Sequence, residues 1–96
     1  MVLEMNYNGG VHEVKGLLNS ENCVYLENQL NEFIANSKGI VLSLEDVVSM
    51  DRESVKSILA VREKAMSDQK MFYVFGRKNS IVKNQFVAMN QISLLI

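Results

Sequence analysis

Two short apolar runs, "IVLSL" at residues 40–44 and "MFYVF" at residues 71–75, limit what this chain can fold into more than any other feature. They are too short for buried helices and rich in β-branched and aromatic residues. They therefore read as strands, of the kind a parallel sheet covers on both faces. Each is followed by a polar loop and then by apolar residues at helical spacing. After the first run come Val55, Ile58, Leu59, Ala65 and Met66, with Arg62 packing its stem on the same side; after the second come Val82, Phe86 and Met89. Strands alternating with helices in this way imply right-handed crossovers in a mostly parallel sheet.

The remaining sequence extends that pattern at both ends. Residues 1–7 and 11–15 alternate on either side of Asn8-Gly9-Gly10, which predicts a β-hairpin and one antiparallel strand. Asn19 or Ser20 is expected to cap a helix carrying Cys23, Leu26, Leu30, Phe33 and Ile34 on one stripe. Gly39 stands where a C-terminal cap is expected. "ISLLI" at residues 92–96 reads as a last short strand. The expected order is ββαβαβαβ, an α/β fold in one domain over residues 1–96. A hydrophobic fraction of 48% supports one core, and the absence of proline with only five glycines argues against disorder.

Ten basic residues against eleven acidic ones leave a net charge of −1, with no run of basic residues longer than Arg77-Lys78. Neither nucleic acid nor an anionic membrane would be drawn to such a surface. No stretch approaches the roughly 20 apolar residues of a membrane span. The start, "MVLEMNYNGG", lacks the basic and apolar regions of a signal peptide, so a cytoplasmic location is expected. Cys23 has no cysteine to pair with and reads as a reduced core thiol. With His12 as the one histidine, read as a surface or edge residue, zinc would lack ligands, and no cofactor is expected.

In an open parallel sheet, function gathers at the carboxyl ends of the strands. Two loops fit that description, "EDVVSMDRES" and "GRKNS". Glu45, Asp46, Asp51 and Glu53 are close in sequence, but Asp51 reads as a helix cap and Glu53 suits the positive end of the helix dipole. No nucleophile–base pair and no glycine-rich phosphate loop accompanies them, so catalysis is not expected. Arg77 and Lys78 precede a helix start, where an anion or nucleotide can bind, but a solvated pair before a capping Asn79 or Ser80 explains them more simply. Met50 either anchors its loop inward or offers an apolar contact.

Taken in order, three segments resemble the STAS domain, the fold shared by bacterial anti-sigma factor antagonists and the cytoplasmic tails of sulfate transporters. Lys15-Gly16-Leu17-Leu18-Asn19 resembles that family's exit from its second strand. "ENCVYLENQL", with Asn22, resembles the helix that follows. "IVLSLEDVVSMDRESVKSIL" is similar to its strand, D-L-S-x-V-x-x-M-D-S-S-G-L loop and helix. The resemblance implies a right-handed βα superhelix and a protein-binding role in sigma-factor partner switching. The implied partner is a kinase-like ATPase acting as anti-sigma factor. The alternative it implies is an accessory subunit contacting the ATPase of a lipid-type ABC transporter.

In the antagonists the serine after the loop aspartate is phosphorylated. Here Asp51 and its neighbour Met50 match, but Arg52 holds the phosphoserine place, Glu53 the next serine and Ser54 the glycine. Arg52 accepts no phosphate, which leaves Ser49 and Ser54 as phosphoacceptors. The expected partner surface is Val48, Ser49, Met50, Asp51, Arg52, Glu53 and Ser54, flanked by Arg77 and Lys78. Many family members carry a further helix where this sequence ends. An open sheet face or edge is therefore expected, and with it a homodimer or a permanent partner.

Overall fold

The computed structural model describes residues 3–96. Strand β1 (Glu4–Asn8) pairs antiparallel with β2 (Val11–Leu18), and β3 (Gly39–Met50) and β4 (Met71–Phe75) follow in parallel, in the sheet order β1-β2-β3-β4. Helix α1 (Cys23–Ala35) connects β2 to β3, α2 (Arg52–Ser67) connects β3 to β4, and α3 (Ser80–Ala88) follows β4. The hairpin closes through Gly9 and Gly10, both at positive φ (59° and 86°), as a tight two-residue turn between paired strands needs. The first strand begins at Glu4; Met1 and Val2, included in the expected strand, lie outside the described residues.

The core lies on one face of the sheet. Leu18 and Val14 of β2, Ile40, Leu42 and Leu44 of β3, and Val74 of β4 meet Leu26 and Leu30 of α1, Val55, Ile58 and Val61 of α2, and Phe86 of α3. All are nearly inaccessible to solvent. The crossovers advance the sheet in one direction and put their helices on that one face. The other face is open, so the expectation that "IVLSL" and "MFYVF" are covered on both faces is corrected. Met71, Tyr73 and Phe75 alternate with the inward Phe72 and Val74 and remain exposed.

Four local expectations are also corrected. The last segment is not a strand: it forms a 3₁₀ turn (Ile92–Leu94) and then a single parallel bridge from Leu95 to Val74. Helix α1 starts at Cys23, after Asn22, because Asn19 and Asn22 instead tie the β2–α1 turn. Asn19 Oδ1 accepts from Glu21 N, while Asn22 donates to the Leu17 carbonyl and accepts from Asn19 N. Gly39 begins β3 and is not a helix cap. A Cβ there would stand 2.2 Å from the Met71 carbonyl oxygen, so the close strand approach demands glycine. Met66 is exposed, and Val61 completes the inward stripe of α2 in its place.

Candidate functional site

The carboxyl end of β3 is built differently from the loop expected there. The strand continues through residues 45–50, paired with β2. Between Val11 and Leu18 the partner strand advances from Val41 to Met50, two residues more than β2, and the register shifts at Glu13/Lys15 and at Gly16/Leu17. Each shift is a bulge that lodges one extra residue in β3. The inward positions therefore run Leu42, Leu44, Val47, Met50, breaking the period of two. Val48 is left 51% exposed, with Ser49 exposed beside it. Met50 is only 6% exposed and joins the core, so it is corrected from a contact residue to an inward anchor.

Asp51 caps α2 as expected and does more. Its Oδ1 accepts from Ser54 N (3.0 Å) and from Ser54 Oγ (2.8 Å), and its Oδ2 accepts from Ser20 N (3.0 Å). Its own N–H donates to the Leu18 carbonyl. Through its carboxylate and its backbone N–H, this one residue ties the ends of β2 and β3, the β2–α1 turn and the start of α2. Burial alone would raise its pKa, but the hydrogen bonds from Ser54 and Ser20 outweigh that and hold it below the usual carboxylate range. Ser54 is fully buried, with its hydroxyl committed to Asp51. It is corrected from a surface phosphoacceptor to part of the cap.

Arg52 and Glu53 project from the first turn of α2, both exposed. Glu53 pairs with Lys56 at 3.3 Å in an exposed ion pair of small energetic weight. Across the sheet, β3 and β4 are neighbours, so the two expected loops do share one end of the molecule. Asn79, not named beforehand as a site residue, joins them. Its Oδ1 caps α3, accepting from Ile81 N and Val82 N. Its Nδ2 lies 2.7 Å from the Val47 carbonyl, 3.0 Å from that of Glu45 and 3.3 Å from that of Leu44. Only a three-dimensional bulge could reveal this role; in sequence, Asn79 signals a cap and nothing more.

Lys78 is exposed. Arg77 is turned toward the chain's own end: its Nε donates to the Leu95 carbonyl (2.7 Å) and Nη2 to that of Ile92 (3.3 Å). These two bonds clamp the 3₁₀ turn, and Arg77 remains exposed beside Lys78. Glu45 is half-buried, and its Oε1 is closed off from solvent with no hydrogen-bond partner among the described residues. Among those residues no group of three or more His, Cys, Asp or Glu could hold a metal ion, and no helix is long and apolar enough to cross a membrane.

No protein-family model matches the sequence, and no curated protein matches it. Solved structures do. An anti-sigma factor antagonist from Mycobacterium paratuberculosis is similar with a TM-score of 0.77 at 18% identity, over 98% of this chain and 81% of that one. The anti-sigma factor antagonist SpoIIAA in its unphosphorylated form is similar with a TM-score of 0.77 at 11% identity, over 99% of this chain and 86% of that one. A further match, Mglu, has a TM-score of 0.59 at 15% identity; it takes in 74% of this chain but only 18% of that one. The chain has the STAS fold of the antagonists, a mixed sheet with its helices wound on one side. At such identities the likeness speaks for fold alone, and function rests on the site.

Proposed function

We propose that this STAS-fold chain is a non-enzymatic regulatory domain that docks on a partner protein through the exposed end of β3 and the first turn of α2. The observation that carries this reading is the Asp51 brace. It fixes the backbone from below, while Val48, Ser49, Arg52 and Glu53 face solvent above it. Lys78 flanks them from the next loop. One apolar side chain among mixed charges on a fixed frame suits a protein surface, where charge complementarity sets specificity and orientation. The antagonist neighbours support a cytoplasmic, sigma-type signalling role with an anti-sigma factor as partner.

Control differs from a phosphoserine after the aspartate. Arg52 occupies that place and takes no phosphate, and burial withdraws Ser54. Ser49 is the exposed hydroxyl left among the expected acceptors. A phosphate there would add about −1.5 to −2 charges beside Asp51 and Glu53 and would repel an acidic partner surface.

The test is affinity capture with the tagged chain from its own cells, with mass spectrometry of partners and intact bait. A captured kinase-like ATPase that binds the Arg52→Glu and Val48→Asp baits more weakly supports the proposal. A captured permease with its ATPase assigns the chain to a transport complex instead. A partner that binds both altered baits with unchanged Kd overturns the placement of the surface.

A further inference from the structure

The sheet has two edges, and only one of them is covered by the chain itself. Beyond β4, Leu95 bridges to Val74, Ile96 N donates to the Val74 carbonyl, and Arg77 clamps the turn that delivers them. At the other edge, nothing among the described residues pairs with the outer side of β1. The devices that blunt a free edge are missing there too. With five residues, β1 has an ordinary strand length, and it pairs with β2 in unbroken register, without a bulge. Its one charge, Glu4, stands at its start, and the chain has no proline to interrupt it.

The hairpin turn decides which backbone groups face outward. A two-residue turn makes Asn8 and Val11 a hydrogen-bonded pair, and alternation then assigns the groups of Asn6 and Glu4 to β2 as well. The N–H and C=O groups of Met5 and Tyr7 are therefore the ones presented at the free edge.

The strand sequence "EMNYN" suits a second copy of itself. A two-fold axis at Asn6 sets Met5 opposite Tyr7 of the second copy, so every outward N–H and C=O of these residues finds a partner. Every other antiparallel register leaves strand residues unpaired. On the helix side, Tyr7 is 68% exposed and lies 4.7 Å from His12, which stacks on Phe33 at 4.5 Å. Met5 of the second copy would cover the bare side of Tyr7 and extend that row across the junction. On the open face, Glu4 meets the neutral Asn8 and Asn6 meets its own copy, so no like charges oppose each other. A net charge of −1 adds little repulsion between whole molecules.

We propose that the chain forms a two-fold symmetric dimer in which the β1 edges of two copies pair antiparallel about Asn6, joining their sheets into one. This interface shares no residue with the docking surface and does not depend on it.

The test combines sedimentation with thiol mapping of the full chain. Sedimentation equilibrium from about 10 µM to about 1 mM should show reversible dimerisation with Kd on the order of 0.1 mM, as suits so small an interface. Single cysteines then read the register, since the native Cys23 is buried. Asn6→Cys and Glu4→Cys both alter exposed positions. The first places each thiol opposite its own copy, within disulfide reach. The second leaves them about 13 Å apart, four residues along the strand. Under mild oxidation Asn6→Cys should cross-link at least about tenfold faster than Glu4→Cys. Asn8 faces the neutral Val11 in its own sheet but Glu4 in the dimer. Asn8→Lys should therefore tighten the dimer and Asn8→Glu weaken it, each by about threefold to tenfold. A chain that stays monomeric at the top of the concentration range, equal cross-linking of the two cysteine variants, or Kd shifts of the same sign in Asn8→Lys and Asn8→Glu would overturn the proposal.

Discussion

Asn79 offers the sharpest test of how the site is held, because its two ends do separable jobs. Its oxygen caps α3, and its amide nitrogen faces the Leu44, Glu45 and Val47 carbonyls. The amide carries two hydrogens, so three carbonyls cannot each receive a full bond. The 2.7 Å and 3.0 Å contacts are the principal ones, and the 3.3 Å contact is shared. A cap contributes about 1 kcal/mol, and each net hydrogen bond about 1 kcal/mol. Asn79→Ala should therefore cost about 3 kcal/mol. Asn79→Ser retains a capping oxygen and should cost about 2 kcal/mol, all of it from the clasp. Asn79→Asp keeps the shape and the cap but turns an oxygen toward three carbonyl oxygens, so it should cost at least as much as alanine. Urea denaturation gives the totals, and amide exchange at residues 46–49 locates them. A loss of ~2 kcal/mol corresponds to about thirtyfold faster opening there, with α3 unaffected in the serine variant. Equal stability loss in the alanine and serine variants, with exchange at residues 46–49 unchanged, would refute the clasp.

Other perturbations separate frame from surface. Val48→Asp should change stability by no more than about 0.5 kcal/mol in thermal unfolding, since the side chain is half exposed and outside the core. Ser54→Asp should destabilise by about 3 kcal/mol or more, because it buries a second carboxylate against Asp51; urea unfolding reads this. The carboxyl of Asp51 is held below its ordinary value of 3.8, so its stabilising contribution is complete above that pH and is lost as pH falls through the lower folded value. Asp51→Asn should flatten that acid limb. His12 has a folded pKa below 6.5, so it too contributes fully above 6.5 and loses that contribution as pH falls through the folded value. His12→Phe keeps the stack and should remove this pH dependence in thermal unfolding.

Sequence pattern carried the element order because helix and strand periods differ so much. Residues spaced like Leu26, Leu30 and Ile34 can line one face only in a helix, and the runs at 40–44 and 71–75 are strands, whereas the equally short "ISLLI" forms a 3₁₀ turn. The Asp51 cap was readable for the same local reason: an acceptor side chain just before a helical stripe has little else to do. What failed was non-local. In "LSLEDVVSM" the spacing of buried residues drifts from two to three, which resembles a loop because two bulges interrupt the alternation. Those bulges exist only opposite β2, more than twenty residues earlier in the chain. The burial of Met50 and Ser54 follows from them, as does the Asn79 clasp. Likewise, nothing local in "MFYVF" distinguishes a strand covered twice from one covered once. The number of covering layers is a property of the crossovers.

The bulges also bear on how such a surface can be regulated. A flexible loop could respond to modification by refolding. A doubly bulged strand pinned by Asn79 on one side and by Asp51 on the other cannot move cheaply, since each tie would cost about 1 kcal/mol or more to release. A switch here must therefore act by changing charge or shape on a fixed backbone. Arg52 and Glu53 already set opposite charges side by side, and both are exposed. Their mutual offset means that a single added phosphate would dominate the local field, turning a balanced patch into a strongly negative one. Ser49→Glu mimics only part of that charge and should weaken partner binding less than true phosphorylation, with urea stability held within about 0.5 kcal/mol. Comparing the dissociation constants of the unmodified chain, Ser49→Glu and chemically phosphorylated Ser49 tests the idea. A graded loss in that order supports charge acting on a rigid frame. If the stability of the chain falls together with binding, the frame itself yields, and the rigidity argument is wrong.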